Sequence, residues 1–265
     1  MFEPAEAPEA AARPVIYEQP LNERMRAFLR LEFLWNQASF HASSPSPWSS
    51  RGAVASLLEI LAITGRGDAR GDVLKELERQ MALLKEYQNR PGVDGARLRA
   101  VLATLVRRRE ELNAAGANFM QALRDSEFLN SIKHRSAIPG GTCEFDLPDY
   151  THWLNQPAER REQELEQWLG RIRPLCESVS ELLWVTRENA RPRRESAPGG
   201  NFQIVFERDH PAQLIRIELP GQSLFFPEVS GSHYRCSIRF LRWTGVMNRP
   251  VQPADDVPFT LTICQ

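Results

Sequence analysis

The spacing of apolar residues changes once along the chain, and that change limits the folds open to it. Up to about residue 190, apolar side chains recur every three or four positions, the period of helices that bury one face. Beyond that point they recur every second position, in FQIVFE, LIRIEL, YRCSIRFLRW and VPFTLTIC. The turn-forming stretches DHPAQ, PGQ, SGS and NRP lie among them, the pattern of antiparallel strands at short spacing. Helices in series followed by strands in series predict an α+β chain, not an alternating βαβ one. With 265 residues, the chain is long for a single core.

The helical part resolves further. PLNERMRAFLRLEFLWNQASF opens a helix with Asn22 as N-cap and Met25, Phe28, Leu29, Phe33 and Leu34 as its apolar stripe. HASSPSPWSSRG reads as a loop, and a second helix runs from near Arg51 to Ile63 and ends at TGRGDARG. A helical hairpin follows. Leu74, Leu77, Met81 and Leu84 line its first arm, and Leu98, Val101, Leu102, Leu105 and Leu112 its second. Pro91 and Gly92 break the chain between the arms, and Asp94 can cap the second. Such arms pack antiparallel, and their stripes leave apolar surface for further helices or a second chain. Residues 119–134 read as helical, and Pro148 begins a short helix with Tyr150, Trp153 and Leu154 on one side. Pro157 suits the first turn of a helix that Gly170 closes, and Pro174 opens the next, with Leu175, Val179, Leu182 and Leu183 in phase. RPRRESAPGGN reads as a linker or loop. The expected organisation is a disordered acidic Ala/Pro-rich tail at 1–14, a mostly helical domain at 19–189 and an antiparallel β-strand domain at 190–265. A short strand at 15–18 could join the last of these.

Composition narrows the function. Net charge is −1, from 33 basic and 34 acidic residues, so a general nucleic-acid coat is not expected. No apolar run approaches the ~20 residues of a membrane span, so direct membrane insertion is not expected either. The N-terminus has no apolar core of a signal peptide, which leaves the cytoplasm as the expected compartment. Cys143, Cys176, Cys236 and Cys264 form no CxxC pair, and the histidines show no ligand spacing, so neither metal nor cofactor is expected. P-loop, GxGxxG, HExxH and GxSxG motifs are absent. IPGGTC alone resembles an active-site loop, with Cys143 as nucleophile and His134 or His152 as base. The competing reading is a glycine turn with Cys143 and Phe145 entering the core. No catalytic residue is assigned.

Arginines carry more information. From Arg171 to Arg249 there are twelve arginines, no lysine and eight carboxylates. Arginine is suited to bidentate recognition of carboxylates and phosphates. In YRCSIRFLRW, strand alternation puts Cys236, Ile238 and Phe240 on one face and Arg235, Ser237 and Arg239 on the other. Two cationic forks then stand about 13–14 Å apart on a stiff element. The face is either a solvated one or a receptor for a partner that carries carboxylates or phosphates. Arg191, Arg193 and Arg194 are read as exposed linker residues.

PLNERMRAFLRLEFL, VLKELERQ, PGVD, IPGGTCEFDLPDYTHWL and SGSHYRCSIRF occur in this order. Together they resemble the ZapD family of bacterial cell division proteins from about residue 15 to the C-terminus. That resemblance implies a helical domain, a β-strand domain and a homodimer, with no enzymatic activity and no cofactor. It implies binding to the acidic C-terminal tail of FtsZ and bundling of FtsZ filaments at the mid-cell Z-ring. The family's basic pocket corresponds to Arg66, Arg235 and Arg239, with Arg30 of the first helix as a further member. Glu127 stands where relatives carry a basic residue. The rival reading is a nucleic-acid binder using the arginine-rich strand, with Tyr234 or Trp243 stacking on bases.

Overall fold

A computed structural model describes residues 13–89, 91–207, 211–232 and 234–265. The disordered tail expected at 1–14 lies, apart from its last two residues, outside them, as does the start of the DHPAQ turn. The chain divides into two compact units, one formed by Ala27–Val185 and the other by the segment up to Arg26 together with Thr186–Gln265. The α+β class read from the periodicity is the class observed.

The helices are α1 (Glu23–Ala42), α2 (Pro47–Thr64), α3 (Ala69–Glu86), α4 (Gly95–Ala114), α5 (Gln121–Arg124), α6 (Glu127–Ser136), α7 (Pro148–Leu154) and α8 (Ala158–Glu188). Asn22 caps α1 as expected, its Oδ1 accepting from the Met25 N–H at 2.8 Å. The buried stripe is Met25, Phe28, Leu31, Leu34 and Ala38, and Phe33 is 65% exposed. Five residues beyond Phe28, Phe33 falls on the opposite side of a helix that turns about 100° per residue. Helix α2 starts four residues before the expected Arg51. Ser46 accepts from the Trp48 N–H at 3.3 Å and Pro47 sits in the first turn, so the Ser-Pro pair is a start signal and not a loop.

The hairpin of α3 and α4 follows the sequence reading closely. Asp94 Oδ1 accepts from the N–H groups of Ala96 at 2.9 Å and Arg97 at 3.1 Å. Those bonds favour the charged carboxylate and hold its pKa below the ordinary value. Leu77, Leu84, Leu98, Leu105 and Leu112 are buried. Arg70, at the start of α3, donates to the Leu112 carbonyl at 3.3 Å and to Asn113 Oδ1 at 3.0 Å, both at the end of α4, so the arms are antiparallel.

Two expected helices, one closed by Gly170 and one opened by Pro174, are a single helix of 31 residues. Proline in a helix interior costs about 3 kcal/mol or more. Against that, Leu165, Leu169, Ile172, Leu175, Cys176, Val179, Leu182 and Leu183 form one continuous buried stripe through the break. Each large apolar side chain contributes about 1.5–3 kcal/mol on burial, so the stripe outweighs the proline. Gly170 is exposed and has nothing within 4 Å of where a Cβ would stand. Gly170→Ala is therefore expected to stabilise the protein by about 0.5–1 kcal/mol, read as a higher urea midpoint with an unchanged slope. In the IPGGTC segment, Gly140 takes φ +72° as a turn glycine. Contrary to expectation, Phe145 is 86% exposed and does not enter the core. The turn it occupies leads into α7, whose Tyr150, Trp153 and Leu154 are buried instead. Burial pushes the Tyr150 hydroxyl up to about 12.

The strands are β1 (Val15–Pro20), β2 (Pro192–Ala197), β3 (Asn201–Val205), β4 (Leu214–Leu219), β5 (Phe225–Gly231), β6 (Arg235–Arg242) and β7 (Val257–Cys264). They form a four-stranded sheet in the order β1-β4-β7-β2 and a three-stranded sheet in the order β3-β6-β5, with every pairing antiparallel. Ile215, Ile217, Leu219, Phe259 and Leu261 of the first sheet share one core with Ile204, Cys236, Ile238 and Phe240 of the second. Phe259 bridges the sheets, with its ring 4.9 Å from Phe240 and 5.2 Å from Phe202. The stretch expected as a linker, with Arg193 and Arg194, is strand β2. Its backbone pairs with β7, and proline and arginine are tolerated because it lies at the sheet edge. Strand β5 gives no alternating signal in FFPEVSG and is held by β6.

Candidate functional site

Strand β6 is the centre of its sheet, and the expected alternation holds from Arg235 to Phe240 and breaks at Leu241, which is buried. Cys236, Ile238 and Phe240 are buried, and Arg235, Ser237 and Arg239 are exposed. The register shows what flanks them. Arg239 lies between Asn201 of β3 and Glu228 of β5, Ser237 between Gln203 and Ser230, and Arg235 opposite Val205. The outer face is a polar lattice with one cation, Arg235, at the start of its central strand and another, Arg239, at the middle.

The two arginines are not equivalent. Arg239 forms an ion pair with Glu228, directly across the strand. Both side chains are about half exposed, and a pair of that kind contributes roughly 0.2–1 kcal/mol. Among the described residues Arg235 has no carboxylate partner. It adjoins Val205, which is 84% exposed, and Tyr234, which is 55% exposed. Together with Phe206 these residues line a concavity of about 610 Å³. A neighbouring hollow adds Gln203, Ser230 and Ser232. One end of the face therefore offers an open guanidinium beside apolar and hydroxyl groups. That arrangement suits a peptide carrying both carboxylates and apolar side chains.

The other two predicted residues lie in the Ala27–Val185 unit. Arg66 is exposed in the turn after α2, its own N–H bonded to the Ile63 carbonyl at 3.3 Å. Arg30 is exposed on α1. Neither has a carboxylate partner among the described residues. Sequence reasoning did not find Glu228, Val205 or Gln203, because nothing in a single sequence reveals which strands lie beside β6.

The cysteine reading takes a structural form. Cys143 Sγ donates to Asp146 Oδ2 at 3.3 Å, and neither His134 nor His152 hydrogen-bonds it. Cys236 and Cys264 are buried, and burial pushes each thiol up to about 11. Burial raises the Cys176 thiol as well. These three thiols stay protonated at neutral pH and act as small packing groups. Among the described residues no group of three or more His, Cys, Asp or Glu side chains could hold a metal ion. No helix among them is long and apolar enough to cross a membrane.

Comparison with known proteins adds an independent finding. A family profile described as "ZapD: Cell division protein" matches residues 29–239, a span that contains all four predicted arginines. The chain is 40% identical to the cell division protein ZapD of Methylococcus capsulatus over 251 residues, covering 94% of this chain and 98% of that protein. It is 36% identical to the ZapD of Aromatoleum aromaticum over 254 residues, covering 96% and 98%. The ZapD of a Janthinobacterium species is also 36% identical, over 250 residues, covering 94% and 99%.

Proposed function

The chain belongs to the ZapD family of cell division proteins, and on that premise we propose that it is an adaptor that binds the acidic C-terminal tail of FtsZ and bundles FtsZ filaments. The observation that carries this reading is the outer row of β6, where Arg235 stands without a carboxylate partner among the described residues, beside exposed Val205 and Tyr234. Guanidinium forks take carboxylates in two parallel hydrogen bonds, and the apolar neighbours take the tail's apolar side chains. Arg66 and Arg30 are proposed as separate contributors from the helical unit, each to be tested alone.

Bundling requires two tail sites in one particle. A homodimer supplies two identical sites, and the second binding event is then intramolecular, so weak single contacts add up to a firm cross-link. The protein acts without catalysis in this reading, in the cytoplasm at the mid-cell Z-ring.

The test is low-speed pelleting of assembled FtsZ with the protein, comparing full-length FtsZ with FtsZ lacking its C-terminal tail. Full-length filaments are expected to pellet and tail-less filaments to remain in suspension. Raising salt should release the bundles, because exposed charge pairs are screened beyond about 8–10 Å. Equal pelleting of both FtsZ forms would overturn the tail as the partner. Failure of both, with salt-dependent retention of single-stranded nucleic acid instead, would favour the rival use of the arginine-rich strand.

A further inference from the structure

We infer that the acidic tail binds as an added β-strand on the open edge of β3, a mode that rests on the tail-binding reading above and specifies how its backbone is held. The sheet order β3-β6-β5 leaves β3 with one neighbour only. The direction of its backbone groups follows from one hydrogen bond. The Phe206 N–H donates to the Tyr234 carbonyl at 2.9 Å, in the same register that pairs Ile204 with Cys236 and Phe202 with Ile238. In an antiparallel ladder, bonded and non-bonded residue pairs alternate. Phe202, Ile204 and Phe206 therefore spend their N–H and C=O groups on β6. Asn201, Gln203 and Val205 direct theirs away from it, toward the open edge.

A second bond confirms the phase on the other side of the sheet. The Ser232 N–H donates to the Arg235 carbonyl at 2.8 Å, so the odd-numbered residues of β6 bond to β5 and the even-numbered ones to β3. The same alternation turns Pro227 of β5 toward that strand's free side, where it has no N–H to offer. Strand β2 begins with proline and carries two arginines, and β1 ends in a proline. These are the features that discourage edge pairing. Strand β3, Asn-Phe-Gln-Ile-Val, has no proline and no charge.

Charge selects the occupant. A strand added at about 4.8 Å from β3 lies two strand spacings from β6. Its alternate side chains share the outer face with Arg235, and only the short side chain of Val205 stands between. An extended segment with a carboxylate at that position meets an open guanidinium. An apolar residue two positions away meets the concavity of Val205, Phe206 and Tyr234. Main-chain bonds then supply affinity and the arginine supplies selectivity, the division of labour found when a peptide extends a sheet.

The experiment measures binding of a fluorescent synthetic FtsZ C-terminal tail peptide to the full chain by anisotropy. Three perturbations are compared. Gln203→Pro removes one outward N–H and leaves the β6 ladder intact, and Gln203→Ala alters only the side chain. Peptides N-methylated at successive backbone positions lose donors without any change of charge. Strand addition predicts at least a tenfold loss for Gln203→Pro, less than twofold for Gln203→Ala, and losses at alternate N-methyl positions only. Should Gln203→Pro fail to fold, the N-methyl series decides on the unaltered protein. If the peptide binds and Arg235→Glu abolishes binding, while N-methylation at every position is tolerated, strand addition is wrong and the tail-binding reading stands. If the unmodified peptide does not bind at all, both fall.

Discussion

Arg235→Glu is expected to abolish bundling of full-length FtsZ, with at least a tenfold loss in tail-peptide affinity, while Arg239→Glu alone has a smaller effect. The asymmetry follows from the partners of the two residues. Among the described residues Arg235 has no carboxylate partner, so an incoming carboxylate can take it, and reversing its charge replaces attraction by repulsion at one end of the face. Arg239 already holds Glu228, so the tail must compete for it, and part of its charge is neutralised before binding begins. The same argument predicts the opposite sign at the partner. Glu228→Gln should release Arg239 and strengthen tail binding a few-fold, because the pair it breaks is half exposed and inexpensive to open. Both side chains point outward, so circular dichroism and the thermal midpoint should change little in any of the three variants. Binding that is unchanged in Arg235→Glu would move the receptor off this sheet. Weakened binding in Glu228→Gln would show that the carboxylate itself is needed.

The largest effect on stability is expected for Leu105→Asp. Leu105 is fully buried on the inner side of α4, as Leu77 is on α3. Truncating a buried leucine costs about 2–5 kcal/mol. The aspartate in its place must either lose its charge or lose its solvent, at a further cost of several kcal/mol. Typical domain stability is about 5–15 kcal/mol, so most of it is consumed. Ala103→Asp, two residues away on the exposed side of the same helix, should be nearly neutral. The measurement is urea denaturation followed at 222 nm. A Leu105→Asp midpoint equal to that of the parent protein would contradict the packing described for the hairpin. Because Leu77 and Leu105 are already buried within one chain, they are not the surface left over for a second one. Any loss of self-association in this variant would follow from unfolding. The half-buried positions Val101 and Leu102 are better sites at which to look for a dimer seam.

Most of the helical architecture could be read from side-chain spacing because helix hydrogen bonds are local. The caps of Asn22 and Asp94, the hairpin stripes and the glycine turn at Gly140 all depend on residues a few positions apart. Local signals mislead where packing at a distance opposes them. Gly170 and Pro174 are both helix-ending residues, yet the stripe from Leu165 to Leu183 is buried as a unit and carries the helix through. The Ser-Pro pair before Trp48 was ambiguous for another reason, since the same dipeptide can begin a helix or interrupt one.

The β region divides in the same way. Which face of β6 carries Arg235 and Arg239 follows from alternation along one strand, a property of covalent geometry. Whether those arginines are open or paired does not, because Glu228 reaches Arg239 only through the register of β5 on β6. Strands β2 and β5 were invisible for the same cause. Their sequences lack an alternating pattern, and backbone pairing with β7 and β6 holds them in the sheets. Side-chain chemistry and local period thus established an α+β chain with a cationic strand face. Partnership across the sheet, set by hydrogen bonds between residues far apart in sequence, established which cation is available and which strand edge is open beside it.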